Sequence, residues 1–128
     1  MRILLDTHAL LWWLLDDPRL TERARAMIAA AGNEVLVSSA SGFEIATKHR
    51  LGKLWTGRIE PIGLERIIAE EGVQVLPISL AHALHAGLLA VPHRDPFDRL
   101  LMAQSRLEGL PLVTVDPVFA ENGIEVVW

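Results

Sequence analysis

The chain has 128 residues, a formal net charge of −4, 51% apolar residues and no cysteine. That length and apolar content suit one domain with its own core. A disulfide framework and a thiolate metal site are excluded. The negative balance argues against coating nucleic acid by bulk charge, but not against a nuclease, whose site must itself be acidic to hold metal.

In chain order, the apolar N-terminus raises the question of a leader. Asp6 and His8 interrupt it, no small-residue cleavage site follows, and the unbroken apolar stretch 9–15 is far too short to span a bilayer. A cytoplasmic protein with no membrane contact is therefore expected. "RILLD" (2–6) reads as a buried strand. A helix nearly apolar all round follows over 7–15. The next helix starts at a capping Thr21 and stops at Gly32. "EVLVS" (34–38) is a second strand, followed by a helix from a serine cap to Gly52. Residues 63–71 form a short helix candidate, and "VQVLPI" (73–78) a third strand. A helix starts at Ser79. Another has Asp95 as N-cap, Pro96 at the first helical position and Gly109 as its stop. "LVTVD" (112–116) and "IEVVW" (124–128) complete the strands. All five strands are short, continuous runs of Val, Ile and Leu rather than alternating ones, as in buried parallel sheets. Strands alternating with helices predict an α/β fold, a three-layer α/β/α sandwich with a mostly parallel central sheet. No linker-like stretch divides it, so one domain over 1–128 is expected.

In such sheets ligands bind beyond the carboxyl ends of the strands, and the acids collect there. Asp6 ends the first strand and Asp116 the fourth. Glu44 lies in the helix after the second strand, and Asp95 and Asp98 open the helix before the fourth. Each has a bland reading as well. Asp6, Asp95 and Asp116 can cap the helices they precede, and Asp98 at the third helical position favours the helix dipole. Glu44 differs, because it sits between Phe43 and Ile45 in an uncharged segment, where a buried acid is costly unless paired or metal-bound. Caps explain the acids one by one but not their common location. Several carboxylates at one point repel one another, and a hard divalent ion removes the conflict. Oxygen-only ligands favour Mg²⁺ or Mn²⁺ over zinc, and water acidified by such an ion can attack a phosphodiester.

Four segments, "ILLDTHALLWW", "SSASGFEIATKHRLGKL", "HRDPFDRLLMAQS" and "LVTVD", resemble in order the four blocks of PIN-domain proteins. They are most similar to the VapC-type ribonuclease toxins of bacterial toxin–antitoxin pairs. The resemblance covers essentially the whole chain, and "DTHALLW" with "DPFDRLL" is its specific combination. It implies a Mg²⁺- or Mn²⁺-dependent endoribonuclease whose acids fall on Asp6, Glu44 and Asp98, with Asp116 as a variable fourth and Thr114 as the polar residue preceding it. It also implies a homodimer and a cognate antitoxin that covers the active site. Asp6 and Asp98 are expected to hold the metal. Asp95 is an extra acid, expected to fix the helix that carries Asp98.

Other features have less definite readings. Lys48, Arg50, Lys53 and Arg58 form a local basic excess that either guides RNA phosphates or is a solvated helix face. Arg99 pairs with a carboxylate, a phosphate or solvent. His82, His85 and His93 are expected not to bind zinc, and His8 is expected to pack under its helix rather than line the site. Trp12 and Trp13 point about 100° apart, which predicts a partner surface, homodimer or antitoxin. Two alternatives to the nuclease are a non-catalytic or RNA-processing module on the same fold, and a phosphatase with Asp6 as nucleophile. The phosphatase normally needs an acid or threonine two residues on, where this chain has His8.

Overall fold

A computed structural model describes residues 1–53 and 56–128. Five strands, β1 (Arg2–Leu5), β2 (Glu34–Ser38), β3 (Gln74–Leu76), β4 (Leu112–Val113) and β5 (Val126–Val127), form a sheet of order β3-β2-β1-β4-β5. Every neighbouring pair is parallel, with Leu4 opposite Leu36 on one side and Leu112 on the other. Seven α-helices connect them among the described residues: α1 (Thr7–Leu14), α2 (Glu22–Ala29), α3 (Ser39–Arg50), α4 (Leu64–Glu70), α5 (Leu80–Leu88), α6 (Pro96–Glu108) and α7 (Pro117–Glu121). A 3₁₀ turn, Pro61–Gly63, precedes α4.

The continuous apolar strands have two faces to bury. Ile3, Leu5, Val35, Val37, Val113 and Val127 pack with Leu10 and Leu11 of α1, Ile28 of α2, Ile45 of α3 and Ile68 of α4. Leu4, Leu36, Leu76 and Leu112 point the other way, to Leu89, to Leu101 and Met102 of α6, and to Phe119 of α7. The three-layer sandwich follows from this alternation at period two.

Helix starts match their sequence signals, but α2 ends at Ala29, short of the expected stop at Gly32. Thr21, Ser38, Ser79 and Asp95 accept N-terminal backbone N–H groups of α2, α3, α5 and α6. Gly109 ends α6 with φ +65°, a left-handed conformation that favours glycine. β3, β4 and β5 are shorter than expected. Past Val113 the Thr114 N–H still donates to the Val127 carbonyl, but Asp116 N–H turns to the Thr114 hydroxyl, and the ladder ends there. No helix of the described residues is long and apolar enough to cross a membrane.

The connections leaving β1 run to one side, toward β2 and β3. Those leaving β3 cross the opposite face to β4. The sheet therefore reverses its winding between β1 and β4, and a crevice opens there at the carboxyl ends of the strands.

Candidate active site

A cleft of about 450 Å³ occupies that crevice, and Asp6, Glu44, Asp95, Asp98 and Asp116 all line it. They arrive from β1, α3, α6 and β4, so the fold brings together acids more than a hundred residues apart.

Asp6 is buried at the end of β1 and caps α1. Its Oδ1 accepts from Ala9 N–H at 2.7 Å and its Oδ2 from the Thr114 hydroxyl at 2.5 Å. Thr114 Oγ1 accepts in turn from Asp116 N–H at 3.0 Å, so one hydroxyl ties β1 to β4 across the floor. Burial pushes the Asp6 carboxyl up to about 6 and the Asp98 charge pushes the same way, against the lowering effect of its hydrogen bonds.

Glu44 is buried on α3. Thr7 Oγ1 donates to its Oε1 at 2.5 Å and Lys48 Nζ to its Oε2 at 2.6 Å, an i,i+4 pair along the helix. The buried acid is thus paired, as its sequence surroundings require. Lys48 is held above the usual lysine range, first by that hydrogen bond.

Asp98 sits in the first turn of α6, and its Oδ2 lies 2.7 Å from His93 Nε2. Desolvation raises its pKa, with further upward pushes from Asp95 and Glu44. Asp95 Oδ1 accepts from both Phe97 N–H, at 2.9 Å, and Asp98 N–H, at 3.0 Å. It therefore fixes the turn that carries Asp98. Asp116 is exposed at the rim and caps α7 through Val118 N–H.

Arg99 and His8 sit differently from expectation. Among the described residues Arg99 meets no carboxylate. Its guanidinium donates to the carbonyls of Ala86, Gly87, Leu89, Val91 and His93, which pins the loop between α5 and α6. His8 does not pack under α1: it is exposed and lines the cleft, its ring 5.6 Å from that of Trp12. The tryptophan pair is half-buried within the chain itself. Trp12 lies 5.7 Å from Trp128 and under the Arg19 guanidinium, and Trp13 Nε1 donates to Glu71. Of the basic stretch over 44–58, Lys48 is bound to Glu44, Arg50, Lys53 and Arg58 are exposed, and 54–55 lie outside the described residues.

The histidines have separate tasks. His82 closes the N-terminus of α5 with Ser79 and meets Glu108, while His93 faces Asp98. Sequence reasoning missed Thr7 and His93 as partners of the acids. His93 stands five residues before Asp98, a spacing that becomes informative only once the loop folds back.

The donor set suits a hard cation. It offers carboxylate oxygen without thiolate, and two of its acids, Asp6 and Asp98, are driven toward protonation by burial and by neighbouring carboxylates. Among the described residues no three His, Asp or Glu side chains are already drawn together as a metal cluster. Glu44 and Asp98 are turned to Lys48 and His93 instead. A pair of direct carboxylates, with water completing the shell, is the coordination that Mg²⁺ accepts.

An all-parallel α/β/α sandwich with acids gathered at its switch point defines a class of acidic-cleft domains. Residues 3–125 match the PIN domain family model. Ribonuclease VapC22 of Mycobacterium tuberculosis is 30% identical over 121 residues, covering 89% of this chain and 86% of that protein. The chain belongs to the PIN-domain family. Its fold is also that of VapBC2 from Rickettsia felis, solved bound to a promoter DNA fragment (TM-score 0.69, 15% identity, 99% and 98% of the two chains). A toxin–antitoxin complex from Klebsiella pneumoniae is similar at TM-score 0.67 and 18% identity, over 98% and 96% of the chains. Mycobacterium tuberculosis VapC20, a Sarcin-Ricin loop cleaving toxin, matches at TM-score 0.68 and 16% identity, over 95% of each.

Proposed function

We propose that this PIN-domain chain is a Mg²⁺- or Mn²⁺-dependent endoribonuclease and the toxin of a toxin–antitoxin pair. The observation that carries the reading is the convergence of Asp6, Glu44 and Asp98 on one cleft at the β1/β4 switch point. The ribonuclease name of the 30%-identical relative supports the reaction class, and the toxin–antitoxin neighbours support the biological setting.

In this reading Asp6 and Asp98 hold the ion. When bound, the ion supplies positive charge for the phosphate and acidity for a water molecule. Thr114 and Ala9 N–H aim the two oxygens of Asp6, and Asp95 and His93 orient Asp98. Glu44 is held at the cleft by Thr7 as the third acid, its charge offset by Lys48 in the ion-free chain. Asp116 sits at the rim, where water and substrate enter.

The substrate is RNA, met in the cytoplasm. A protein partner is supported by the apolar stripe Leu80, Leu84 and Leu88, exposed at four-residue spacing on α5. Homodimerisation and antitoxin capture both belong to the proposal. The test is cleavage of a mixed RNA pool with Mg²⁺ or Mn²⁺, with EDTA, and with Asp98→Asn. Cleavage by wild type alone, abolished by chelation, is expected. Equal cutting in EDTA or by the variant overturns the assignment.

A further inference from the structure

We infer that Trp12 and His8 form a stacking platform for an unpaired nucleobase beside the acidic site. This inference rests on the reading that the chain acts on RNA, and adds how the RNA is held. His8 and Trp12 are four residues apart on α1, the helix that Asp6 caps, so they share one face and rise from the catalytic end of the cleft. Both line the cleft that contains Asp6 and Asp98, and their rings lie 5.6 Å apart at 46°.

The indole is fixed before any ligand arrives. Trp128 packs on it at 5.7 Å and 58°, and the Arg19 guanidinium lies 4.9 Å from the ring centroid. Arg19 is itself held by Asp17 through contacts of 2.8 and 3.1 Å. A braced aromatic surface loses little freedom on binding, so its contact area converts efficiently into affinity. The surroundings select a base rather than a phosphate. Phosphate is left to the ion that the acids hold, whereas the uncharged face of a base can settle on this aromatic wall, which Val115 and Pro117 extend. Every base has such a face, so the platform tolerates any sequence but requires a base free of its stack, which favours single-stranded RNA.

The experiment measures binding in Mg²⁺ with the full chain carrying Asp98→Asn, which blocks cutting. The probes are a short fluorescent single-stranded RNA and a ribose-phosphate oligomer of equal length lacking bases. Adding Trp12→Leu is expected to weaken RNA binding roughly tenfold, with most of the loss recovered by Trp12→Phe. Neither change is expected to alter binding of the base-free oligomer. RNA affinity unchanged by Trp12→Leu, or an equal loss for both probes, overturns the platform. Should Trp12→Leu fail to fold, the exposed His8→Ala decides by the same comparison: a loss confined to the base-bearing probe supports the platform, and no loss or an equal loss overturns it. A wild type that never cuts RNA counts against the functional reading; a wild type that cuts while these variants bind RNA normally counts against the platform alone.

Discussion

Replacing Asp6 with asparagine should stabilise the ion-free protein while abolishing its cleavage of RNA. The Asp6 carboxyl has its pKa raised from 3.8 to about 6, chiefly by burial. For an acid this sign means that the folded chain holds a proton that the unfolded chain has released. The wild type therefore loses stability as pH rises from about 4 to about 6, and the loss is complete above that window. The displacement corresponds to about 3 kcal/mol at neutral pH and to roughly half of that at pH 5.

Asparagine keeps the cap to Ala9 N–H and carries no charge to desolvate. It cannot accept from Ala9 and Thr114 with two equivalent oxygens, so the net gain should be about 2 kcal/mol. Urea denaturation in EDTA at pH 7.5 and pH 5 measures it. The gain should shrink at the lower pH, and Mg²⁺ or Mn²⁺ should stabilise the wild type but not the variant. A variant no more stable than wild type at pH 7.5, or a gain independent of pH, would refute the claim that the floor of the cleft stores electrostatic strain.

The two aspartates of "DPFDR" should separate by function. Asp98→Asn should leave the fold intact and remove cleavage, whereas Asp95→Ser should keep the cap and most of the activity, as read by circular dichroism and RNA gel assays. Arg99→Met should cost about 2–3 kcal/mol in urea denaturation, because it strips charged donors from five carbonyls of one loop. Leu84→Glu, on an exposed helix face, should leave stability within about 0.5 kcal/mol and lower the apparent mass in light scattering if α5 is the self-association surface; an unchanged mass would remove α5 from that role.

Layering and strand direction were legible because they depend on short-range pattern. Continuous Val, Ile and Leu runs specify strands covered on both sides, and cap and stop residues mark the helices between them. The strand termini were less legible. Residues 114–116 look like the continuation of a strand, yet Thr114 forms a stronger local arrangement by donating to Asp6 and accepting from Asp116 N–H. That competition is decided by a residue more than a hundred positions away, which no local pattern records.

The same distinction explains the cleft. Asp6 stood out at a strand end and Glu44 among apolar neighbours, while Asp98, an ordinary first-turn acid by itself, stood out only through the shared location of the acids and the family resemblance. The partner across the fold gave no such signal: Thr7 is an ordinary helix residue until α1 and α3 are packed together, whereas Lys48 pairs with Glu44 one turn along the same helix. Arg99 shows the limit from the other side. A charge adjacent to Asp98 invites an ionic reading, but on a helix neighbouring residues point about 100° apart. That angle sends Asp98 into the cleft and Arg99 to the carbonyls of the preceding loop. The loop so pinned includes His93, whose imidazole returns to Asp98. Arg99 thereby helps to set the position of the acid beside it through the backbone, without touching it.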